Sequence, residues 1–133
     1  MPGGETILVV EDAEEIRRLV CGMLSLQGYK CISAMDGLEA LQLLECQTEP
    51  VDLMLTDLVM PNMAGAELAR RVARLRPEIR IVLMSGFSED PVVRTFEHAP
   101  TAFIAKPFTV ATLCAKVREA LDEPWTGFPD PQD

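Results

Sequence analysis

Short, continuously apolar runs alternate along this chain with stretches in which apolar residues recur at helical spacing. The runs are Ile7-Leu-Val-Val10, Leu53-Met-Leu-Thr56, Ile81-Val-Leu-Met84 and Ala102-Phe-Ile-Ala105. Unbroken hydrophobicity over so few residues is what a strand needs when helices cover both faces of its sheet, as in parallel sheets. A weaker run, Lys30-Cys-Ile-Ser33, fits an edge strand. Between the runs, Ile16, Leu19, Val20, Met23 and Leu24 trace a stripe that predicts a first helix with this face on the core. Leu38, Leu41 and Leu44 predict a second, with Asp36 and Glu39 spaced as a capping box at its start. Leu68, Val72 and Leu75 predict a third, broken by Pro77. The fourth, after Ser88, has the weakest pattern: Pro91 suits its first turn and Pro100 closes it. Val110, Leu113, Val117 and Leu121 predict a fifth, with Thr109 as its N-cap.

Strand and helix thus alternate through five β-α units. Right-handed crossovers then place the helices on both faces of a doubly wound parallel sheet, an α/β architecture. Residues 1–121 make one domain on this reading. Residues 122–133 hold three prolines and no periodicity, and are expected to be a disordered tail.

Composition narrows the function classes. The length of 133 residues suits one domain, and 48% apolar residues suffice for a core. No apolar run reaches the roughly 18 residues of a membrane span. The N-terminus lacks the basic and apolar regions of a secretory signal, so a cytoplasmic location is expected. A net charge of −9 repels nucleic acid, and no basic patch interleaved with aromatics offsets it. Arg70, Arg71, Arg74 and Arg76 sit at the spacing of a solvated helix face. The four cysteines, Cys21, Cys31, Cys46 and Cys114, form no C-x-x-C pair and read as reduced, partly buried thiols.

Five unusual polar residues stand where apolar runs end. Glu11 and Asp12 follow the first strand, Asp57 ends the third, Ser85 ends the fourth, and Lys106 follows the fifth, ahead of Pro107. All lie at the C-terminal edge of the parallel strands, where open α/β sheets bind ligands. Singly, each has an ordinary reading: Asp12 as a helix cap, Lys106 as a solvated charge, Ser85 as a turn residue. Together they have a chemistry. Crowded carboxylates need a cation, and hard oxygen ligands suit Mg²⁺ or Mn²⁺ rather than zinc. Lys106 adds a fixed positive charge; at about 4 Å and an effective dielectric near 20, such a pairing is worth about 4 kcal/mol before desolvation. A metal and a lysine together stabilise a transferring phosphoryl group, with Asp57 as the nucleophile that forms an acyl phosphate. The Ser85 hydroxyl would donate to a phosphoryl oxygen, with Gly86 leaving room for it.

The segments Ile7-Leu-Val-Val-Glu-Asp12, Asp57-Leu-Val-Met-Pro61, Leu83-Met-Ser-Gly86 and Lys106-Pro-Phe108 resemble the receiver domain of two-component response regulators. The resemblance runs from about Thr6 to Leu121 and implies a flavodoxin-like sheet of order 2-1-3-4-5. It implies that Asp57 accepts phosphate from a histidine of a sensor kinase or histidine phosphotransfer protein. Asp12 and Asp57 would ligate the metal directly, Glu11 through water, and Val59 by its backbone carbonyl. The bond before Pro107 is commonly cis in the family. Ser85 and Phe103 would form a switch that reshapes the surface of the fourth helix, fifth strand and fifth helix, a surface through which the domain could also dimerise. Neither nucleic acid nor a membrane would be contacted directly.

The acidic pair is Glu-Asp where Asp-Asp is commonest. Val59 and Phe87 are apolar at positions flanking the phosphoryl group, which is expected to hinder attacking water. Val59 also argues against a magnesium-dependent phosphatase of the haloacid-dehalogenase type, which needs an aspartate there as general acid. The complete polar set argues against a degenerate, binding-only receiver, and no G-x-G-x-x-G follows the first strand as a nucleotide-binding Rossmann domain requires. The style of Gly3-Gly-Glu-Thr-Ile7 and Met84-Ser-Gly86 resembles receivers fused to hybrid histidine kinases, and a free-standing regulator is the alternative. His98, the only histidine, is read as structural or surface. The first helix, through Ile16 and Val20, is a candidate docking surface for a helical partner, in tension with their expected core role.

Overall fold

The apolar runs are strands in the computed structural model, which describes residues 4–46, 50–85, 103–125 and 127. They are β1 (Thr6–Val10), β2 (Lys30–Ala34), β3 (Leu53–Asp57), β4 (Arg80–Ser85) and β5 (Phe103–Ala105). The helices are α1 (Glu14–Leu26), α2 (Gly37–Cys46), α3 (Gly65–Leu75) and α4 (Val110–Asp122), the last being the fifth in the sequence pattern. The expected fourth helix, with Gly86, Phe87 and His98, lies outside the described residues.

All neighbouring strands pair parallel, in the order β2-β1-β3-β4-β5. This is the expected doubly wound order. β1 and β3, at the centre, are buried at every position, whereas β2 at the edge exposes Lys30 and Ser33. Side chains alternate across a strand, so each central strand feeds two cores. Leu8, Val10, Met54, Ile81 and Leu83 meet Leu44 of α2 and Leu68 and Val72 of α3. Ile7, Val9, Leu55, Val82 and Met84 meet Val20 and Leu24 of α1 and Leu113 and Val117 of α4.

Local signals set the helix starts. At α2, the Glu39 N–H donates to Asp36 Oδ1 at 2.8 Å, and Glu39 Oε1 accepts from the Met35 N–H at 3.2 Å. At α4, Thr109 Oγ1 accepts from the Thr112 N–H at 3.1 Å. The predicted stripes are narrower than periodicity suggests. On α1 only Val20 and Leu24 are buried; Ile16 is 38% exposed and Leu19 58%. Leu38, Leu75 and Val110 are likewise exposed. Periodicity marks the face these residues share, whereas burial is confined to the positions packed on the two cores.

The four cysteines are free thiols. Beyond α4, Trp125 packs against the core on the α2–α3 face, and its Nε1 donates to the Pro77 carbonyl at 2.9 Å. Arg80 Nη2 donates to the Glu123 carbonyl at 3.1 Å. Residues 128–133 of the expected tail lie outside the described residues. Among those described, no helix is long and apolar enough to cross a membrane.

Candidate functional site

Strand register brings the polar residues to one place. Val10 stands opposite Thr56, so the chain next delivers Glu11 beside Asp57. Ser85 stands opposite Ala105, so Lys106 emerges alongside Ser85 and donates its backbone N–H to the Ser85 carbonyl at 2.7 Å. The Lys106–Pro107 peptide bond is cis, as the resemblance implies.

Glu11 is 1% exposed, and a carboxylate so placed must be paired. Lys106 Nζ lies 3.0 Å from Glu11 Oε1 and 3.2 Å from Asp57 Oδ2, so one ammonium bridges both carboxylates. Burial alone would lower the Lys106 pKa; the hydrogen bond to Glu11 and the charge of Asp57 outweigh it and raise the pKa above its ordinary value. Glu11 Oε2 also accepts from the Ala13 N–H at 3.2 Å, and Asp57 Oδ1 from the Val59 N–H at 3.3 Å. Asp12 is exposed at the rim. Its hydrogen bond with Glu11, with some desolvation, pushes its pKa upward. One oxygen from each of Glu11, Asp12 and Asp57 lies within 4.8 Å of the other two. Three carboxylates against one lysine leave the cluster short of positive charge, and all-oxygen donors at this spacing fit a hard divalent cation.

Ser85 is buried and Phe103 is half-buried. Phe103 pairs with Leu83, two residues before Ser85, so alternation puts the ring and the serine on the same sheet face. Val59 is 57% exposed, at the mouth of the site. Each candidate residue that is described thus reaches the C-terminal edge or the strand leading to it.

Two supports escape sequence reasoning. Arg17, one turn into α1, donates through Nη1 to the Glu11 carbonyl at 2.8 Å and holds the loop after β1. Gly65, at the start of α3, donates to the Leu58 carbonyl at 2.8 Å. A Cβ there would overlap the Asp57 carbonyl oxygen and lie 2.8 Å from Leu58 Cα. A glycine shortly after Met60-Pro61 at a helix start is the one signal that could have marked it.

Beside the cluster runs an apolar groove of about 420 Å³. Its walls are Ile16, Leu19, Val20 and Met23 of α1 and Lys106, Pro107 and Phe108 after β5. The exposed half of the α1 stripe is therefore one side of a groove whose other side carries the site lysine.

Known proteins resemble this chain in sequence and fold. The sequence profile of the response regulator receiver domain matches residues 7–118. Sensor kinase CckA of Brucella abortus is 34% identical over 124 residues, 92% of this chain but 13% of that protein, so the chain spans a small part of that relative's length. Response regulator receiver protein CpdR of the same organism is 34% identical over 117 residues, 86% of this chain and 95% of CpdR. Among solved structures, response regulator TrrA of Thermotoga maritima in complex with Mg²⁺-BeF has a TM-score of 0.76 at 29% identity, covering 88% of this chain and 99% of that one.

Proposed function

The chain belongs to the response regulator receiver domain family of two-component systems, and on that footing we propose that Asp57 takes up a phosphoryl group from a phosphohistidine. The donor is a sensor histidine kinase or a histidine phosphotransfer protein. A carboxylate oxygen of Asp57 forms the new bond to phosphorus while the P–N bond breaks. The bonding pair returns to the imidazole nitrogen, which takes up a proton. The observation that carries this reading is the bridging of Asp57 by Lys106 within a tight set of carboxylates at the sheet edge.

Glu11, Asp12 and Asp57, with the Val59 backbone carbonyl, would hold Mg²⁺ or Mn²⁺. When bound, that cation neutralises the phosphoryl oxygens and the crowded carboxylates. Glu11 also anchors Lys106, holding its ammonium beside Asp57, where it meets the charge of the incoming phosphoryl group. Ser85, with its hydroxyl near the transferred group, and Phe103, on the same face, form the switch. Their movement changes the surface of β5 and α4. Dimerisation through that surface belongs to the same reading. Val59 at the mouth shields the acyl phosphate from water, so Val59→Asn is expected to speed dephosphorylation several-fold, measured by decay of the phosphorylated protein.

The deciding experiment is incubation with Mg²⁺ and acetyl phosphate or beryllofluoride, followed by intact mass and a spectrum of the folded chain. Asp57→Asn should abolish the mass increase and the spectral shift, and chelation of the metal should suppress both in the native chain. A modification that survives Asp57→Asn would refute the assignment.

A further inference from the structure

Cys21 on α1 and Cys31 on β2 come together on the face of the sheet away from the α2–α3 layer, and the acidic site uses neither. Both are half-buried free thiols packed at the margin of the α1–α4 core. Cys31 Sγ lies 3.7 Å from the Cys21 carbonyl oxygen, to which its S–H donates, so the edge-strand thiol rests directly against the helix residue that carries the other. For cysteines packed against each other in this way, side-chain rotation is the route by which the sulfurs would reach the roughly 2 Å of a disulfide bond. Cys46 is exposed, and Cys114 is half-buried, with its thiol pushed up by burial.

We propose that Cys21 and Cys31 form a peroxide-reactive dithiol in which Cys21 is oxidised first and Cys31 resolves it as an intramolecular disulfide joining α1 to β2. The two thiols are electrostatically unequal. The adjacent Cys31 thiol, followed by the charge of Arg17 one turn earlier, brings the Cys21 thiol down to about 7 against the upward push of burial. The same contact and burial drive Cys31 upward, opposed only by a hydrogen bond with Ser25. Cys21 is therefore the more readily ionised of the two thiols, with a protonated partner alongside.

The chemistry balances with a hydroperoxide as oxidant. The Cys21 thiolate attacks one peroxide oxygen and the O–O bond breaks. For hydrogen peroxide the departing hydroxide takes up a proton as water, and Cys21 becomes a sulfenic acid. The Cys31 sulfur then attacks Cys21 Sγ, the S–O bond breaks, and the hydroxyl leaves as water with the Cys31 proton. Overall, two thiols are oxidised to one disulfide and one peroxide is reduced to two waters. Such a bond would be labile to thiol exchange, unlike a permanent cross-link.

The test uses the full chain with Cys46→Ser, because trypsin releases Cys21 on residues 19–30 and Cys31 with Cys46 on residues 31–70. After hydrogen peroxide, these two peptides should appear as one linked species that dithiothreitol separates. In Cys31→Ser the sulfenic acid should persist on Cys21 and be trapped by dimedone; in Cys21→Ser no adduct should form on Cys31. In the unsubstituted chain at pH 7, Cys21 should be alkylated by iodoacetamide about ten-fold faster than Cys114. Unlinked peptides from peroxide-treated, natively folded protein would overturn the proposal. So would equal alkylation rates of Cys21 and Cys114.

Discussion

Gly65 has no room for a methyl group, because the α3 start closes onto the backbone of Asp57 and Leu58. Gly65→Ala should cost about 1–3 kcal/mol of stability through forced displacement, seen as a lower unfolding midpoint. It should also weaken beryllofluoride binding, because the displaced atoms belong to Asp57; binding at native strength in the folded variant would disprove that link. Tyr29, the only tyrosine, offers a second test. Burial lifts its phenol above the ordinary 10.0, although Arg118 opposes this, with Nη1 placed 3.4 Å from the hydroxyl. The folded state holds that proton more tightly than the unfolded one, so Tyr29's share of stability is complete below about pH 10 and is lost as pH rises through the folded value. Absorbance of the phenolate in folded protein should therefore titrate above 10, and a midpoint at or below 10 would contradict it. At this scale the sequence singled out Glu11, Asp12, Asp57, Ser85 and Lys106, because polar residues at the ends of apolar runs are conspicuous, and the strand register brings them to one sheet edge. The sequence hid Arg17 and Gly65, whose parts depend on contacts across the fold.

At the scale of elements, α1 carries the main lesson. Its five-residue stripe is correctly helical, yet Val20 and Leu24 are buried while Ile16 and Leu19 are exposed. Periodicity reports which residues share a helix face but not how far along the helix a covering layer extends. The tension between core and docking roles is thereby narrowed: Ile16 and Leu19 are open to the groove, whereas Val20 is buried in the core and forms part of the groove wall. Leu19→Glu should consequently leave stability within about 0.5 kcal/mol of native and leave acetyl phosphate uptake intact. It should slow transfer from a phosphohistidine donor, measured with the purified partner; equal slowing of both reactions would count against a docking role. The caps at Asp36 and Thr109 were legible because their signals are local, within three residues in sequence. By contrast α1 and α3 begin at Ala13 and Ala64 without a side-chain cap, and only their apolar spacing announced them.

For the whole molecule, the alternation of strands and helices, with continuously apolar runs, fixed a parallel α/β sheet; its order came from the family resemblance and is the observed β2-β1-β3-β4-β5. The closing contact of Trp125 had no such signal, since a lone aromatic among prolines carries no period. It covers the α2–α3 face and hydrogen-bonds across to Pro77, far away in sequence. Trp125→Ala should lower stability by about 1–3 kcal/mol through lost packing and a lost hydrogen bond, read as a shift in the denaturant midpoint. An unchanged midpoint would show the segment to be dispensable. Lys106 has a different reach, for it borders the groove and also stands 3.2 Å from Asp57. One lysine side chain common to both places, its ammonium on Asp57 and the residue in the groove wall, is a means of thermodynamic linkage between them. If occupying Asp57 weakens what the groove binds by some factor, then whatever fills the groove weakens phosphoryl occupancy by that same factor. A donor protein would then be released by the very event it brings about, and a receiver already charged would turn the next donor away.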